Sequence, residues 1–211
     1  MRIIVEGRPT DYMGAAMTWD ESGNLTSITE PGETASPISY TYLSDSLRRT
    51  KTVNGVTTTY RYNNGMLLSE TTGDETIYYY YDSTGKVAEI GYRKGSDTET
   101  GYFFTRNAQG DIIGIYRNSD SKLIGTYEYD LWGRPVSVKE AEKGIDRDGI
   151  LTKNPLRYRG YYYDNETGFY YLNARYYDPE VRRFISADSL LTGAGGSVQG
   201  HNLFAHCLNN R

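Results

Sequence analysis

The sequence predicts an all-β protein, in the form of a curved antiparallel β-sheet of short hairpins. Three observations support this fold class. The 211 residues include 22 tyrosines and 23 glycines, a composition that favours half-buried strands joined by tight turns. Turn-forming sequences recur about every 8–12 residues between Gly23 and Gly133, which is the spacing of short antiparallel strands. Polar and apolar positions also alternate between the turns.

One turn sequence is repeated along the chain. It consists of an aromatic residue or threonine, then Asp or Asn, about two free positions, and glycine. An Asp or Asn side chain can accept hydrogen bonds from backbone amides two residues later, and a glycine with positive φ closes a hairpin with a bulge. The repeated turn positions are Asp20 and Gly23, Asn63 and Gly65, Asp82 and Gly85, Asn107 and Gly110, and Asp130 and Gly133.

Two further stretches complete the hairpin prediction. The repeat degenerates between Tyr42 and Arg49, where the glycine is missing. Asn54 and Gly55 suit a two-residue type I′ hairpin.

The strands between the turns are expected to carry one aromatic face. In the segment from Thr57 to Tyr62, alternate side chains point to opposite faces, so that Thr58, Tyr60 and Tyr62 share one face. Tyrosine suits such a face because its ring packs while its hydroxyl reaches a polar partner. The four consecutive tyrosines from Tyr78 to Tyr81 are therefore interpreted as scaffold, with a carbohydrate-stacking platform as the alternative.

Composition and charge exclude several functional classes. The net charge is −4 and the basic residues are scattered, so no footprint for nucleic acid or anionic lipid is present. Cys207 is the single cysteine, which rules out an internal disulfide. The charged first residues do not form a signal peptide, and no apolar run approaches the length of a membrane span.

The C-terminal segment from Leu156 to Asn210 resembles the Rhs repeat-associated core, and the repeated turns resemble YD repeats, also called Rhs repeats. The positions that carry the core resemblance are Arg159, Gly160, Tyr163, Asp164, Gly168, Tyr171, Arg175, Tyr176, Tyr177, Asp178, Pro179, Arg183, Phe184 and Asp188. We expect the rings of Tyr163, Tyr171, Tyr176 and Phe184 to be buried, since so aromatic a segment stays soluble only if most rings are covered.

The resemblance implies a domain organisation and a function. Residues 1–140 would form a YD-repeat sheet that is part of a spiral shell, residues 141–155 a connector, and residues 156–211 the Rhs core. Proteins of this family enclose a C-terminal toxin, so the implied partners are the remainder of the shell and a toxin cargo. The implied location is secreted or on the cell surface, as part of a longer protein. A cell-surface adhesion or carbohydrate-binding module is the alternative function.

The chain departs from the family pattern at its end. Many members continue to an Asp-Pro-x-Gly motif at which an aspartate-dependent self-cleavage occurs, whereas this chain ends at Arg211. The pair Asp178 and Pro179 is followed by Glu180 and lies within the core signature. We therefore expect a fragment of a longer shell, with no self-cleavage, no catalytic residues and no cofactor. An open fragment is also expected to self-associate through exposed edge strands, beginning with residues Arg2 to Val5.

Other chemical groupings favour structural interpretations. His201, His206 and Cys207, even with Ser186, Asp188 and Ser189 nearby in sequence, lack the spacing of a zinc site. The stretch from Asp146 to Gly149 lacks the distal ligands of a calcium loop and is interpreted as a solvated turn.

Two more groupings of residues are interpreted as structural rather than functional. Asp164 with Glu166, and Asp178 with Glu180, are interpreted as turn-capping residues rather than a glycosidase pair. The glycine-rich run of residues 192–200 lacks the Lys-Ser/Thr sequence of a phosphate loop.

Overall fold

The computed structural model describes residues 2–4, 8–32, 37–173 and 175–186, and these residues confirm the all-β, antiparallel prediction. They form one four-residue helix, α1 (Ile150–Lys153), a 3-10 turn at Tyr158–Gly160, and strands. The strands are β1 (Arg2–Ile4), β2 (Arg8–Tyr12), β3 (Ala15–Trp19), β4 (Leu25–Thr29), β5 (Ile38–Tyr42), β6 (Arg48–Val53), β7 (Val56–Asn63), β8 (Met66–Thr72), β9 (Glu75–Tyr81), β10 (Val87–Lys94), β11 (Thr100–Arg106), β12 (Ile112–Arg117), β13 (Leu123–Tyr129), β14 (Pro135–Glu140), β15 (Tyr162–Asp164), β16 (Phe169–Leu172), β17 (Arg175–Asp178) and β18 (Arg183–Phe184).

The chain forms two compact units. The first comprises Met1–Thr57 and Thr167–Arg211, and the second comprises Thr58–Glu166. In the first unit, β1 to β6 pair antiparallel in chain order, and β16 to β18 form a second antiparallel meander. In the second unit, β7 to β14 also pair in chain order. The division into 1–140, 141–155 and 156–211 stays a prediction.

The strands alternate between a covered and an open face, as their sequences require. In β7, Tyr60 is buried and its same-face neighbours Thr58 and Tyr62 are half-buried, while Thr59 and Arg61 are exposed. In β9, Ile77 and Tyr79 are buried and Tyr80 is exposed. The run of four tyrosines is therefore split between the two faces of the sheet, because successive strand residues point to opposite sides.

Four of the repeated turns share one geometry, at Asp20, Asp82, Asn107 and Asp130. In each, the side-chain oxygen of the Asp or Asn accepts the backbone N–H four residues later, at 2.8 to 3.1 Å. Its carbonyl accepts the N–H of the glycine three residues later. Those glycines have φ between +79° and +93°, a conformation that a side chain disfavours.

Two other turns depart from the repeat sequence. Between β5 and β6, Leu43 and Ser46 form the same backbone pairing without the Asp and the glycine: Ser46 N–H donates to the Leu43 carbonyl and has φ of +64°. Between β7 and β8, Asn63 is the last strand residue, and Asn64 and Gly65 form the turn with φ of +48° and +78°. Asn54 and Gly55 likewise both have positive φ, as a type I′ hairpin requires.

The core of the second unit lies on one face of its sheet, called here the covered face. Its buried isoleucines and tyrosines come from β9 to β13, and the segment that follows β14 adds further apolar side chains. The buried cluster consists of Ile77, Tyr79, Ile90, Tyr92, Tyr102, Ile112, Ile115, Ile124, Tyr127, Ile150, Leu151 and Leu156. Among the residues placed in the structure, no helix has the length and apolar character of a membrane span.

Candidate functional site

Five side chains that come directly before a turn donate a hydrogen bond to a backbone carbonyl of an earlier strand. Four of these turns are the repeated ones at Asp20, Asp82, Asn107 and Asp130, and the fifth is the turn at Leu43. In four of the five bonds, the accepting carbonyl belongs to the second residue after the glycine of an earlier turn. These bonds are Trp19 Nε1 to Pro9 O (2.7 Å) and Tyr42 OH to Leu25 O (2.8 Å) in the first unit, and Tyr81 OH to Leu67 O (2.9 Å), Arg106 Nη2 to Val87 O (2.5 Å) and Tyr129 OH to Ile112 O (2.8 Å) in the second.

These bonds explain why the repeat begins with an aromatic residue. A ring long enough to cross the neighbouring hairpin, ending in a donor, satisfies a backbone carbonyl that burial would otherwise leave without a partner. Arg106 supplies the same donor with a guanidinium. The sequence pattern allows only an aromatic residue or threonine at the start of the repeat, so it does not predict this role for Arg106.

In the second unit, the segment after β14 lies on the covered face. Ile150 and Leu151 of α1 are fully and almost fully buried in the core cluster. The ring of Tyr158 packs directly on Gly133, where an added Cβ would lie 2.5 Å from the ring. The backbone N–H of Arg159 donates to Asp111 Oδ1 at 2.9 Å. The repeated turns thus close hairpins and also contact the segment that follows β14, called here the docked segment.

The side chain of Lys153 joins α1 to β9 and β10. Its Nζ donates to Glu75 Oε1 and to the Tyr92 hydroxyl, both at 2.8 Å, and Tyr92 also donates to Glu75 at 2.9 Å. Burial alone would raise the pKa of Glu75, but the hydrogen bonds from Lys153 and Tyr92 outweigh it and lower that pKa. Burial would likewise lower the pKa of Lys153, and its bonds to Glu75 and Tyr92 raise it instead.

Two further contacts hold the docked segment. The Arg157 guanidinium lies 4.2 Å from the centre of the Tyr127 ring and donates to the Leu151 carbonyl at 2.8 Å. The Tyr162 hydroxyl donates to Glu70 Oε2 at 2.6 Å. The buried charges of Arg157 and Glu70 are therefore each matched by an aromatic ring or a hydrogen bond, as burial of a charge requires.

The stretch from Asp146 to Gly149 forms a turn in which Arg147 is exposed and the other three residues are half-buried. Both oxygens of the Asp146 carboxylate accept backbone N–H groups at the start of α1, from Ile150 at 2.7 Å and Leu151 at 3.0 Å. Asp148 accepts a 2.5 Å hydrogen bond from the Tyr102 hydroxyl. Both carboxylates thus have structural partners. Within the described ranges, no group of three or more His, Cys, Asp and Glu side chains could hold a metal ion.

In the first unit, a buried arginine of β6 and a buried aspartate of β17 make contacts that join β16 to β18 with the sheet of β1 to β6. Arg48 is 0% exposed, its guanidinium lies 4.5 Å from the centre of the Tyr171 ring, and its backbone N–H donates to the Tyr171 hydroxyl. The Tyr12 hydroxyl donates to Asp178 Oδ2 at 2.9 Å. Burial, followed by the nearby Asp178 carboxylate, raises the pKa of Tyr12.

The structure places the predicted core positions as follows. Tyr171, Tyr176, Tyr177 and Phe184 are buried, as are Asp164, Asp178 and Pro179, whereas Tyr163 is half-buried and Arg183 is exposed. Gly160 and Gly168 have φ of +74° and +73°. The Arg175 guanidinium lies 3.6 Å from the centre of the Phe184 ring. Asp188, Ser189, His201, His206, Cys207 and residues 192–200 lie outside the described residues. That these positions act as a family signature stays a prediction.

The structure places the two pairs of carboxylates that were compared with a glycosidase pair, Asp164 with Glu166 and Asp178 with Glu180, in turns or at strand ends. Asp178 Oδ1 accepts the N–H of Glu180 at 2.8 Å, which is the turn capping that the sequence suggested. Asp164 is 0% exposed. A polar pocket of about 280 Å³ lies beside Lys153, with Asp97, Asp148 and Arg147 among its lining residues. Neither grouping presents a pair of carboxylates across an apolar cleft.

The chain is similar to segments of much longer proteins. No family model matches it. It is 38% identical over 199 residues to the tRNA3(Ser)-specific nuclease WapA of Bacillus spizizenii, covering 92% of this chain and 8% of that protein. It is 38% identical over 195 residues to the tRNA(Glu)-specific nuclease WapA of Bacillus subtilis subsp. natto, again covering 92% of this chain and 8% of that protein.

A solved structure shares the fold. The Photorhabdus luminescens Tc holotoxin pore matches with a TM-score of 0.74 and 19% sequence identity, over 99% of this chain and 10% of the chain it matches. At this identity the likeness shows the fold alone. The chain thus has the antiparallel β fold of one segment of a toxin assembly, and the two sequence relatives are tRNA nucleases of which it spans 8%.

Proposed function

We propose that this chain is a structural part of a YD-repeat toxin shell, which encloses a cargo domain and performs no catalysis itself. The single observation that carries the proposal is the pair of WapA relatives. Their names specify different tRNAs, yet the chain is equally identical to both over 92% of its length. A segment shared so evenly is a poor place for the residues that select one tRNA over another.

The site geometry supports a scaffold rather than a catalytic centre. All 22 tyrosines lie in the described part of the chain, and Tyr80 is the one that is exposed. Several of their hydroxyls bond to backbone carbonyls, to carboxylates or to an arginine backbone amide, as those of Tyr42, Tyr12 and Tyr171 do. Hydrogen bonds of this kind join the hairpins to one another and to the segments packed on the sheet, so the sheet can keep its shape without disulfides.

The implied partners follow from the length of the relatives. The remainder of the shell and a C-terminal toxin cargo would be the partners of this chain, and the longer protein would be secreted or exposed on the cell surface. Because Asp178 and Pro179 are followed by Glu180 and Val181 rather than by the Asp-Pro-x-Gly sequence, we expect that the chain is not cut at this pair.

A segment exchange tests the proposal. This chain replaces the matching segment of the Bacillus spizizenii nuclease, and the purified chimaera and parent are incubated with a mixture of tRNAs. We expect the chimaera to keep the parental tRNA preference, with its nuclease part still protected from added protease. A changed preference, or tRNA cleavage by the isolated 211-residue chain, would overturn the proposal. A chimaera that folds but no longer protects the nuclease part would also overturn it.

A further inference from the structure

The second unit has a pocket of about 410 Å³ that is rich in basic side chains. It is lined by residues of the turn that joins β12 to β13 and of the segment that follows β14. Its charged lining residues are Arg117, Asp120, Lys122, Glu142, Lys143 and Arg147. These four cations and two carboxylates give the pocket a net charge of +2, whereas the whole chain has a net charge of −4. The cavity and these six residues are called the basic pocket.

Hydrogen bonds within the two chain segments hold the walls of the basic pocket. The Arg117 guanidinium donates from Nε and Nη2 to the two carboxylate oxygens of Asp120, at 3.1 and 2.8 Å. The backbone N–H of Arg117 donates to the Lys122 carbonyl at 2.9 Å. On the other wall, the Gly144 N–H donates to Glu140 Oε2 at 2.9 Å. Both walls are therefore held in place before a ligand binds, which lowers the entropy lost on binding.

Three of the four cations in this pocket have no anionic partner among the described residues. Arg117 is paired with Asp120. The side chains of Lys122, Lys143 and Arg147 make no ion pair with any residue that the structure describes. Positive charges that line one cavity repel one another, and an anion placed between them replaces that repulsion by attraction. The charge distribution therefore favours an anionic ligand.

We propose that the basic pocket binds a small oligophosphate, a ligand with two or three linked phosphate groups. Guanidinium and ammonium groups are the usual protein ligands of phosphate, and the Ser119 hydroxyl in the lining adds a neutral donor. Ile145 is the single apolar side chain among the lining residues, which is too little surface for a nucleobase. The remaining basic residues are scattered along the chain and form no stripe for a nucleic-acid backbone. This binding is independent of the shell function.

Isothermal titration of the full 211-residue chain with tripolyphosphate, at about 50 mM salt to limit screening, tests this proposal. We expect saturable binding of one tripolyphosphate per chain. Lys143→Gln and Arg147→Gln should each weaken binding roughly tenfold, as the loss of one hydrogen bond to a charged group does. Both side chains are exposed, so these variants should melt like the parent without ligand. Lys139→Gln is the matched control, because it removes an exposed lysine of β14 that does not line the pocket, and it should bind normally.

A variant of opposite sign and two other ligands separate the proposal from its alternatives. Glu142→Gln removes a negative charge from the lining and should tighten tripolyphosphate binding severalfold. Citrate, which carries its charge on carboxylates, should bind at least tenfold more weakly than tripolyphosphate, and ATP should bind no more tightly.

Four results would overturn the proposal. Tripolyphosphate might show no saturable binding at all, or citrate could bind as tightly as tripolyphosphate, which would remove the selectivity for phosphate. Equal losses for Lys139→Gln and Lys143→Gln would indicate a general attraction to positive charge rather than a pocket. Binding of ATP or tRNA without binding of tripolyphosphate would indicate recognition of the nucleoside or of the RNA.

Discussion

Ser46 shows what the repeat sequence contributes to a turn, because the same turn forms there without it. Ser46 has φ of +64° at the position where four other turns have glycine. A non-glycine residue with positive φ costs roughly 1 kcal/mol, so a glycine here would remove that strain. Part of this gain is lost because glycine gives the unfolded chain more conformational entropy. We therefore expect Ser46→Gly to raise the free energy of unfolding by about 0.5–1 kcal/mol.

Urea denaturation of the variants measures this effect. Ser44→Gly, in the same turn but without positive φ, is the matched control and should be neutral or slightly destabilising. Gly85→Ala is the converse experiment. Its Cβ would meet nothing within 4 Å, so that only the φ of +79° opposes the substitution, and it should lose about 1 kcal/mol. Equal effects of Ser46→Gly and Ser44→Gly would contradict this account.

Lys153 and Glu75 should make stability depend on pH. The lowered pKa of Glu75 means that its contribution is present above its unfolded pKa, near 4.5, and is lost as the pH falls. The raised pKa of Lys153 means that its contribution is present below its unfolded pKa, near 10.5, and is lost as the pH rises. Lys153→Met should therefore cost about 1 kcal/mol at pH 7.

The pH series distinguishes this ion pair from simple packing. The difference between Lys153→Met and the parent should persist from about pH 6 to 9 and shrink below about pH 4. Lys94→Met is the control, because Lys94 lies 3.6 Å from the same carboxylate with its side chain 56% exposed, and such pairs contribute little. A deficit of the same size at pH 3.5 and pH 7 would assign the role of Lys153 to its aliphatic stem.

Among the elements, β17 and β18 pack against each other through the buried side chain of Phe184. Phe184 is 6% exposed, makes an edge contact with Tyr177 at 5.8 Å between centroids, and lies under the Arg175 guanidinium. Phe184→Ala should lower the free energy of unfolding by about 3–5 kcal/mol, the usual cost of removing a buried phenylalanine. Val181→Ala, which truncates a 36% exposed side chain in the same segment, should change it by less than about 0.5 kcal/mol. An unchanged melting temperature for Phe184→Ala would remove the packing role of this segment.

The elements also show which features the sequence could predict. Hairpins were readable because their signals are local: the Asp and Gly of one turn are three residues apart, as at Asp82 and Gly85. The docking of distant segments was not readable. Tyr12 and Asp178 are 166 residues apart in the chain and share one hydrogen bond, and no periodicity within a strand reports such a partner. The donor role of Arg106 was missed for a different reason, since another residue type makes the same bond.

At the scale of the whole molecule, β14 is an edge strand of the described sheet. Among the described strands, β14 pairs only with β13. The Ala141 N–H donates to the Ile124 carbonyl across this pair. Because ladder bonds alternate along an antiparallel strand, the N–H group of Val138 points away from β13. Val136 and Val138 are also 61% and 47% exposed.

Unpaired amides beside exposed apolar side chains favour pairing with another copy. We therefore expect the isolated chain to self-associate at micromolar concentrations through β14. Val138→Pro removes one outward N–H and leaves the ladder to β13 intact, so this variant should shift the chain toward the monomer. Leu131→Lys removes an exposed apolar side chain from the Asp130 turn without touching the edge, and should not. Light scattering during gel filtration measures both. A parent that stays monomeric at every concentration would show that its edges are already protected, and equal shifts by the two variants would identify apolar surface rather than strand pairing as the cause of association.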